Sequence, residues 1–159
     1  MDAVDKLGMT AAIEQAKNSY AEGGIPIGSA LVYHGSAGEE PRLIATGHNE
    51  RIQKASATLH GEISALENAG RLKPDVYRKS TIFTTLSPCS MCTGAILLYR
   101  IPRVVIGENV NFLGGEDLLR SHGVEVIVLG SEECKSLMAK FIREKPEEWN
   151  EDIGEETVA

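Results

Sequence analysis

Apolar residues recur at helical spacing near the start of the chain, at Leu7, Ala12, Ile13, Ala16 and Tyr20. The pattern predicts a helix over residues 4–22, closed by Gly23-Gly24, since glycine readily takes the left-handed conformation of a helix end. The apolar run after Pro26, residues 27–33, reads as a first strand. Residues 34–41, rich in Gly, Ser and Glu and ending in Pro41, read as a hairpin loop. A second strand over 42–48 would deliver Asn49 at its end. Residues 50–57 are polar and irregular, after which a helix starts at His60 and runs through Ile63, Leu66 and Ala69 to Gly70. No element is assigned to 71–80. Thr81-Ile82-Phe83-Thr84-Thr85 is β-branched and aromatic, which favours a buried strand.

Pro88 stands at the entrance of a helix over 89–99, where its fixed φ and missing N–H cost nothing. A strand over 103–107, a short helix over 116–121 and a strand over 124–128 follow. Ser131 then caps a helix over 132–143, and Pro146 opens the last segment. Strands alternating with helices predict an α/β fold in three layers, α/β/α, with helices on both faces of a five-stranded sheet. The sheet is expected to be mixed, because the first two strands are close enough to pair antiparallel. No repeat or linker interrupts the chain, so residues 1–159 are read as one domain.

A net charge of -7 changes the picture in one respect: it argues against a long polyanion such as DNA or tRNA as partner, for which clustered Lys and Arg are needed. A small neutral substrate is compatible with it. The first five residues lack the basic start and apolar core of a secretory signal. The longest apolar run, 95–99, is broken by Arg100 and far too short to span a bilayer, so no membrane partner is expected. Three cysteines, two of them three residues apart, suit a reducing cytoplasmic interior better than a disulfide scaffold.

The candidate chemistry lies in Thr58-Leu59-His60-Gly61-Glu62 and Ser87-Pro88-Cys89-Ser90-Met91-Cys92. One imidazole and two sulfurs suit a tetrahedral zinc ion whose fourth corner is kept for water. Cysteines at i and i+3 on a helix project to one side, and the positive end of that helix favours thiolate over thiol. Zinc with two thiolates and a neutral imidazole carries no net charge, so it acidifies water less than a three-histidine site would. Glu62, two residues from the histidine and outside the ligand set, is the proton acceptor such a site needs. The bland alternatives are a redox or buried cysteine pair, or a closed structural zinc site with Cys134 as its fourth ligand.

The His-x-Glu and Pro-Cys-x-x-Cys pair resembles the signature of zinc-dependent nucleobase deaminases. The resemblance is closer to the fungal cytosine deaminases, in the cytidine/deoxycytidylate deaminase-like superfamily. It is carried by Glu22-Gly23-Gly24-Ile25-Pro26-Ile27-Gly28, Gly47-His48-Asn49, residues 56–64, residues 85–89, residues 107–112 and Trp149-Asn150-Glu151-Asp152-Ile153-Gly154-Glu155. The chain departs from the family in a longer loop at 34–41 and a reworked segment after Phe112. The resemblance implies deamination of free cytosine to uracil and ammonia in pyrimidine salvage, by a cytoplasmic homodimer (the nucleus also open) with one Zn²⁺ per chain.

Carried over residue by residue, the resemblance gives His60, Cys89 and Cys92 to the metal and makes Glu62 the proton shuttle. Asn49 and the Gly61 N–H would read the oxygen edge of the base, Asp152 would lie on its amino side, and Leu86 and Ser87 would line the substrate site. Phe112 and Trp149 would stack on the ring and Ile27 would form a wall. On residue type alone Asn49 is equally a turn former, Asp152 a solvated acid, and Phe112 and Ile27 core. Trp149, the only Trp, lies among acids and must bury against something, so residues 146–155 are read as a C-terminal lid over the site. His34, His48 and His122 are left as structural. The rival readings are guanine or tRNA adenosine deamination, and a non-enzymatic zinc-stabilised binding module.

Overall fold

The computed structural model describes residues 1–156. Its elements run α1 (Ala3–Ala21), β1 (Gly28–Tyr33), β2 (Arg42–His48), α2 (Gly61–Ala69), α3 (Pro74–Arg78), β3 (Ser80–Leu86), α4 (Ser90–Leu98), β4 (Arg103–Glu108), α5 (Glu116–Ser121), β5 (Glu125–Val128), α6 (Glu132–Glu144) and α7 (Pro146–Asp152). The five strands form one sheet in the order β2-β1-β3-β4-β5. β1 is antiparallel to both β2 and β3, while β3, β4 and β5 are parallel, so the sheet is mixed as expected. Among the described residues no helix is long and apolar enough to cross a membrane.

Alternation along the central strands sorts their side chains to two faces. Leu31, Ile82, Val104 and Ile106 pack with Ile96 of α4 and Leu119 of α5. Ala30, Val32, Phe83 and Val105 point the other way and meet Met9 and Ala12 of α1. α6 lies beside α1, and α2 beside α4, which completes the three layers. A third apolar cluster, with Ile25, Ile27, Leu86, Phe141 and Trp149, sits at one end of the sheet, where α6 and α7 close over it.

Three expectations need adjusting. Leu7 of the predicted apolar stripe is exposed, because α1 packs instead through the small residues Gly8, Ala12, Ala16 and Ser19. The sheet approaches so closely that a Cβ on Gly8 would lie 2.3 Å from the Phe83 ring, and one on Gly28 2.0 Å from the Ala12 carbonyl oxygen. Residues 71–80, given no element, contain α3, with Pro74 in its first turn and Tyr77 buried against the core. Finally, His60 and Cys89 are the N-caps of α2 and α4, one residue outside the helices they were expected to begin.

α1 is also held by a charge. Asp5 is buried, and both its oxygens accept hydrogen bonds from the Arg103 guanidinium, at 2.6 and 2.8 Å. This bidentate contact, with the guanidinium charge behind it, outweighs burial and lowers the Asp5 pKa below its ordinary 3.8. A depressed carboxyl stabilises the fold above its unfolded-state pKa and loses that contribution as pH falls through the folded one. Asp5→Asn should therefore cost about 1.5–3 kcal/mol at neutral pH in a urea titration, and the gap to the parent should close as the pH is taken below 3.8.

Candidate active site

The sheet topology gathers the site. β3 and β4 are parallel, so the loops after Leu86 and Glu108 leave the same edge of the sheet. β1 is antiparallel to β3, which brings its start, and hence Ile27, to that edge. β2 is antiparallel to β1, with His48 paired to Gly28, so the residue after β2, Asn49, arrives there too. Sequence positions 27, 49, 86 and 112 thus meet at the carboxyl end of the parallel strands, where open α/β sheets hold their ligands.

Two helix N-termini point into this crevice. His60 and Cys89 both cap without using their side chains, which leaves the imidazole and the thiol free. Cys89 Sγ lies 3.4 Å from His60 Nδ1, and the ligand atoms of His60, Cys89 and Cys92 all fall within 4.8 Å of one another. Such a donor set, of one nitrogen and two sulfurs, fits Zn²⁺. Cys134 is not in the cluster; it is buried on α6 against Gly107 of β4, so it does not close the site as a fourth ligand.

The electrostatics mark a place built for a cation. A hydrogen bond from the Cys92 side chain, with one from His60 and one from the Cys92 N–H, brings the Cys89 thiol down to about 4, against burial. The same contact with Cys89, then burial and the Glu62 charge, push the Cys92 thiol well above its ordinary value. Burial opposes a charge on His60, yet the Cys89 sulfur and the nearby Asp152 and Glu62 carboxylates raise its pKa to about 9. Glu62 in the first turn of α2 is 4 % exposed; burial, then the Cys89 charge, raise it to about 7. A carboxyl poised there can both take and return a proton near neutrality.

The cavity is walled by Ile27, Leu86 and Phe112, with His60, Glu62, Cys89 and Ser87 on one side and Trp149, Asp152 and Ile153 of the C-terminal segment on the other. It is narrow, with free space of ≈ 10 Å³, about one water. Phe112 and Trp149 meet edge to face, their centroids 6.1 Å apart. Asn49 does not line it. That residue is fully buried, with Oδ1 accepting from the Arg51 N–H at 3.0 Å and Nδ2 donating to Asp152 Oδ1 at 2.9 Å. Gly61 is likewise off the wall, packed so near Ile27 that a Cβ would touch its carbonyl oxygen at 3.0 Å.

Asp152 takes a position the sequence did not suggest. Its Oδ1 lies 3.4 Å from His60 Nε2, the ring nitrogen facing away from the sulfurs. A carboxylate there fixes the tautomer and orientation of an imidazole whose other nitrogen holds a metal. The Ser87 hydroxyl is also used by the protein: it donates to Glu116 Oε2 at 2.7 Å and accepts from the Gly114 N–H at 2.9 Å. With Glu108, which accepts from the N–H groups of Val110 and Asn111, this network sets the loop that carries Phe112.

Glu108, Glu116 and Arg51 escaped the sequence reading. Each looks like an ordinary surface charge, and only the burial of Glu108 and Glu116 and the contacts of Arg51 distinguish them. Arg51, two residues after Asn49, gave the one available hint. His48 and His34 are structural, bonded to Gln15 and Glu22 and to Thr81 respectively.

Comparison with known proteins places this geometry. Residues 2–108 match the cytidine and deoxycytidylate deaminase zinc-binding region. A cytosine deaminase of Candida albicans is 64% identical over 151 residues, which cover 95% of this chain and 97% of that one. A tRNA-specific adenosine deaminase of Haemophilus influenzae is 36% identical over 156 residues, covering 91% and 86%. The structure of a guanine deaminase from Nitrosomonas europaea superposes with a TM-score of 0.67 at 22% identity, covering 86% of this chain and 83% of that one, and shares the fold.

Zinc added to the metal-free protein should release protons. With His60 at about 9 and Cys92 above its ordinary value, both keep their protons at pH 7 until a cation displaces them. Proton release per zinc, measured by calorimetry in buffers of different ionisation enthalpy, should fall as the pH is raised toward 9, where His60 already loses its own. Cys92→Ala should lose the metal; full zinc retention in that variant would contradict the ligand set.

Proposed function

The chain belongs to the cytidine and deoxycytidylate deaminase zinc-binding family, and from that premise we propose that it hydrolyses free cytosine to uracil and ammonia. The observation that carries the reading is a buried carboxyl, Glu62, set beside the ligand cluster of His60, Cys89 and Cys92 without belonging to it. A closed structural zinc site has no use for such a group.

When bound to His60, Cys89 and Cys92, zinc supplies a Lewis acid that makes a water molecule nucleophilic near neutral pH. Glu62 accepts the proton that this water gives up and delivers it to the ring nitrogen beside the attacked carbon. A second transfer through the same carboxyl reaches the amino group, which leaves as ammonia, and the carbonyl of uracil forms in its place. Asp152 holds His60 at Nε2. Ile27, Leu86, Phe112 and Trp149 give a flat base apolar and aromatic walls and keep bulk water out. Asn49 and Gly61 lie behind the cavity wall, where Asn49 holds Asp152 Oδ1 and Gly61 packs on Ile27.

Two features favour a free base over a base in tRNA. The net charge of -7 disfavours a long polyanion. The cavity is small, and α7 lies across it; we read residues 146–155 as a lid that opens for entry and release. The reading includes a homodimer, a cytoplasmic setting and a place in pyrimidine salvage. An open depression of ≈ 1190 Å³ between α2, α3 and α4 supports the dimer, because it exposes Leu98 and Tyr99 beside Leu66, Leu72 and Tyr77.

Ammonia release from cytosine, cytidine, guanine and adenine, measured side by side with zinc content, tests the substrate. Cytosine should be the preferred one, and preference for guanine or adenine would overturn the assignment. Glu62→Ala should keep its zinc while cytosine turnover falls by roughly four orders of magnitude, the joint cost of losing a general base and its charge. Unchanged turnover would remove Glu62 from the mechanism.

A further inference from the structure

We propose that Arg51 is a positioning residue of this site, clamping the acidic helix α7 over the cavity and setting the Asn49 and Asp152 side chains through the same contacts. The proposal rests on reading α7 as the cavity's cover.

α7 carries Glu147, Glu148, Glu151 and Asp152 within seven residues and no lysine or arginine. More than half of the chain's net charge of -7 sits on this one helix, whose four acids repel one another unless a cation meets them. Among the described residues Arg51 is the only lysine or arginine in an ion pair with α7. Its Nη2 lies 3.4 Å from Glu151 Oε1 and its Nη1 3.7 Å from Asp152 Oδ1. The third guanidinium nitrogen, Nε, donates to the Ala57 carbonyl at 3.1 Å, which anchors the fork to the loop between β2 and α2. The side chain is 14% exposed, so the pair with buried Asp152 is poorly screened.

The backbone of the same residue reaches the site from the other direction. The Arg51 N–H donates to Asn49 Oδ1, which turns the carboxamide so that Nδ2 meets Asp152 Oδ1. Asp152 in turn faces His60 Nε2. One residue therefore ties the lid, the buried Asn49 amide and the carboxylate behind the histidine into a single arrangement. One hydrogen bond and two ion pairs leave the group in three directions, a geometry that suits a planar guanidinium better than an ammonium on a flexible stem. Trp149 stands one helical turn before Asp152 and closes on Phe112, so freeing Glu151 and Asp152 loosens the indole as well.

The test uses the zinc-loaded enzyme and Arg51→Met, which keeps an apolar stem and removes the fork. Trp149 is the only tryptophan, so acrylamide quenching of its emission reports the cover directly. Quenching should rise about twofold as the local opening becomes easier. KM for cytosine should rise about tenfold with the loss of a shielded ion pair, while kcat holds or increases because product leaves through a looser lid. Zinc content should match the parent. Arg51→Lys should restore part of both effects. Glu151→Gln, at the exposed partner, should shift quenching and KM in the same direction by less, and R51M with E151Q should give less than the sum. Parent-like quenching in R51M would overturn the proposal, as would a fall in kcat at unchanged KM, which would put Arg51 in the chemical step. The fluorescence readout needs no turnover, so failure to deaminate cytosine would count against the substrate assignment alone.

Discussion

The convergence of two helix N-termini at one edge of the sheet is the constraint on which the rest of this molecule depends. α2 and α4 both begin there, and the residues just outside them, His60 and Cys89, leave their side chains uncommitted to capping. That arrangement brings one nitrogen and two sulfurs within 4.8 Å of one another. The positive ends of both helices offset the charge of the Cys89 thiolate there. Neither helix could be displaced without opening the ligand set, and each is fixed by an apolar face pressed on the sheet rather than by its own propensity.

The mixed sheet provides the remaining walls by the same logic. The antiparallel hairpin turns the start of β1 and the end of β2 toward the carboxyl ends of β3 and β4, so a site assembles from four distant segments. A wholly parallel sheet would carry Ile27 to the opposite edge. Close approach of α1 to the sheet, through Gly8 and Gly28, keeps that hairpin in register with the Phe83 strand. Ser19 of α1 even donates to the Asn49 carbonyl at 2.8 Å, so the first helix reaches the site behind the amide.

Charge is distributed so that the acidic surface and the buried site do not conflict. Glu62, Glu108, Glu116 and Asp152 are buried carboxyl groups in a chain already rich in acids. Glu108 and Glu116 are satisfied by backbone and side-chain donors and serve the Phe112 loop. Asp152 meets Asn49, His60 and Arg51, while Glu62 is left with its pKa raised to about 7. Burial raises Glu62 to about 7, which suits it to the proton-transfer role proposed for it.

Much of this was legible in the chain itself. Apolar periodicity and glycine and proline positions located every strand and five of the seven helices, because those signals are local; Pro146–Asp152 was read only as a last segment opened by proline. The short helix at Pro74–Arg78 was missed, since five residues give too little period to detect. The His60, Cys89 and Cys92 cluster was legible because its spacing is itself the chemistry: a metal demands particular atoms at particular offsets. Nothing local told that Asp152 would stand behind His60, that the Ser87 hydroxyl would brace a loop, or that Leu7 would face water while Gly8 faced Phe83. Those outcomes depend on which surfaces meet across the sheet, between residues as much as a hundred positions apart, and long-range packing leaves no periodic trace in the residues it joins.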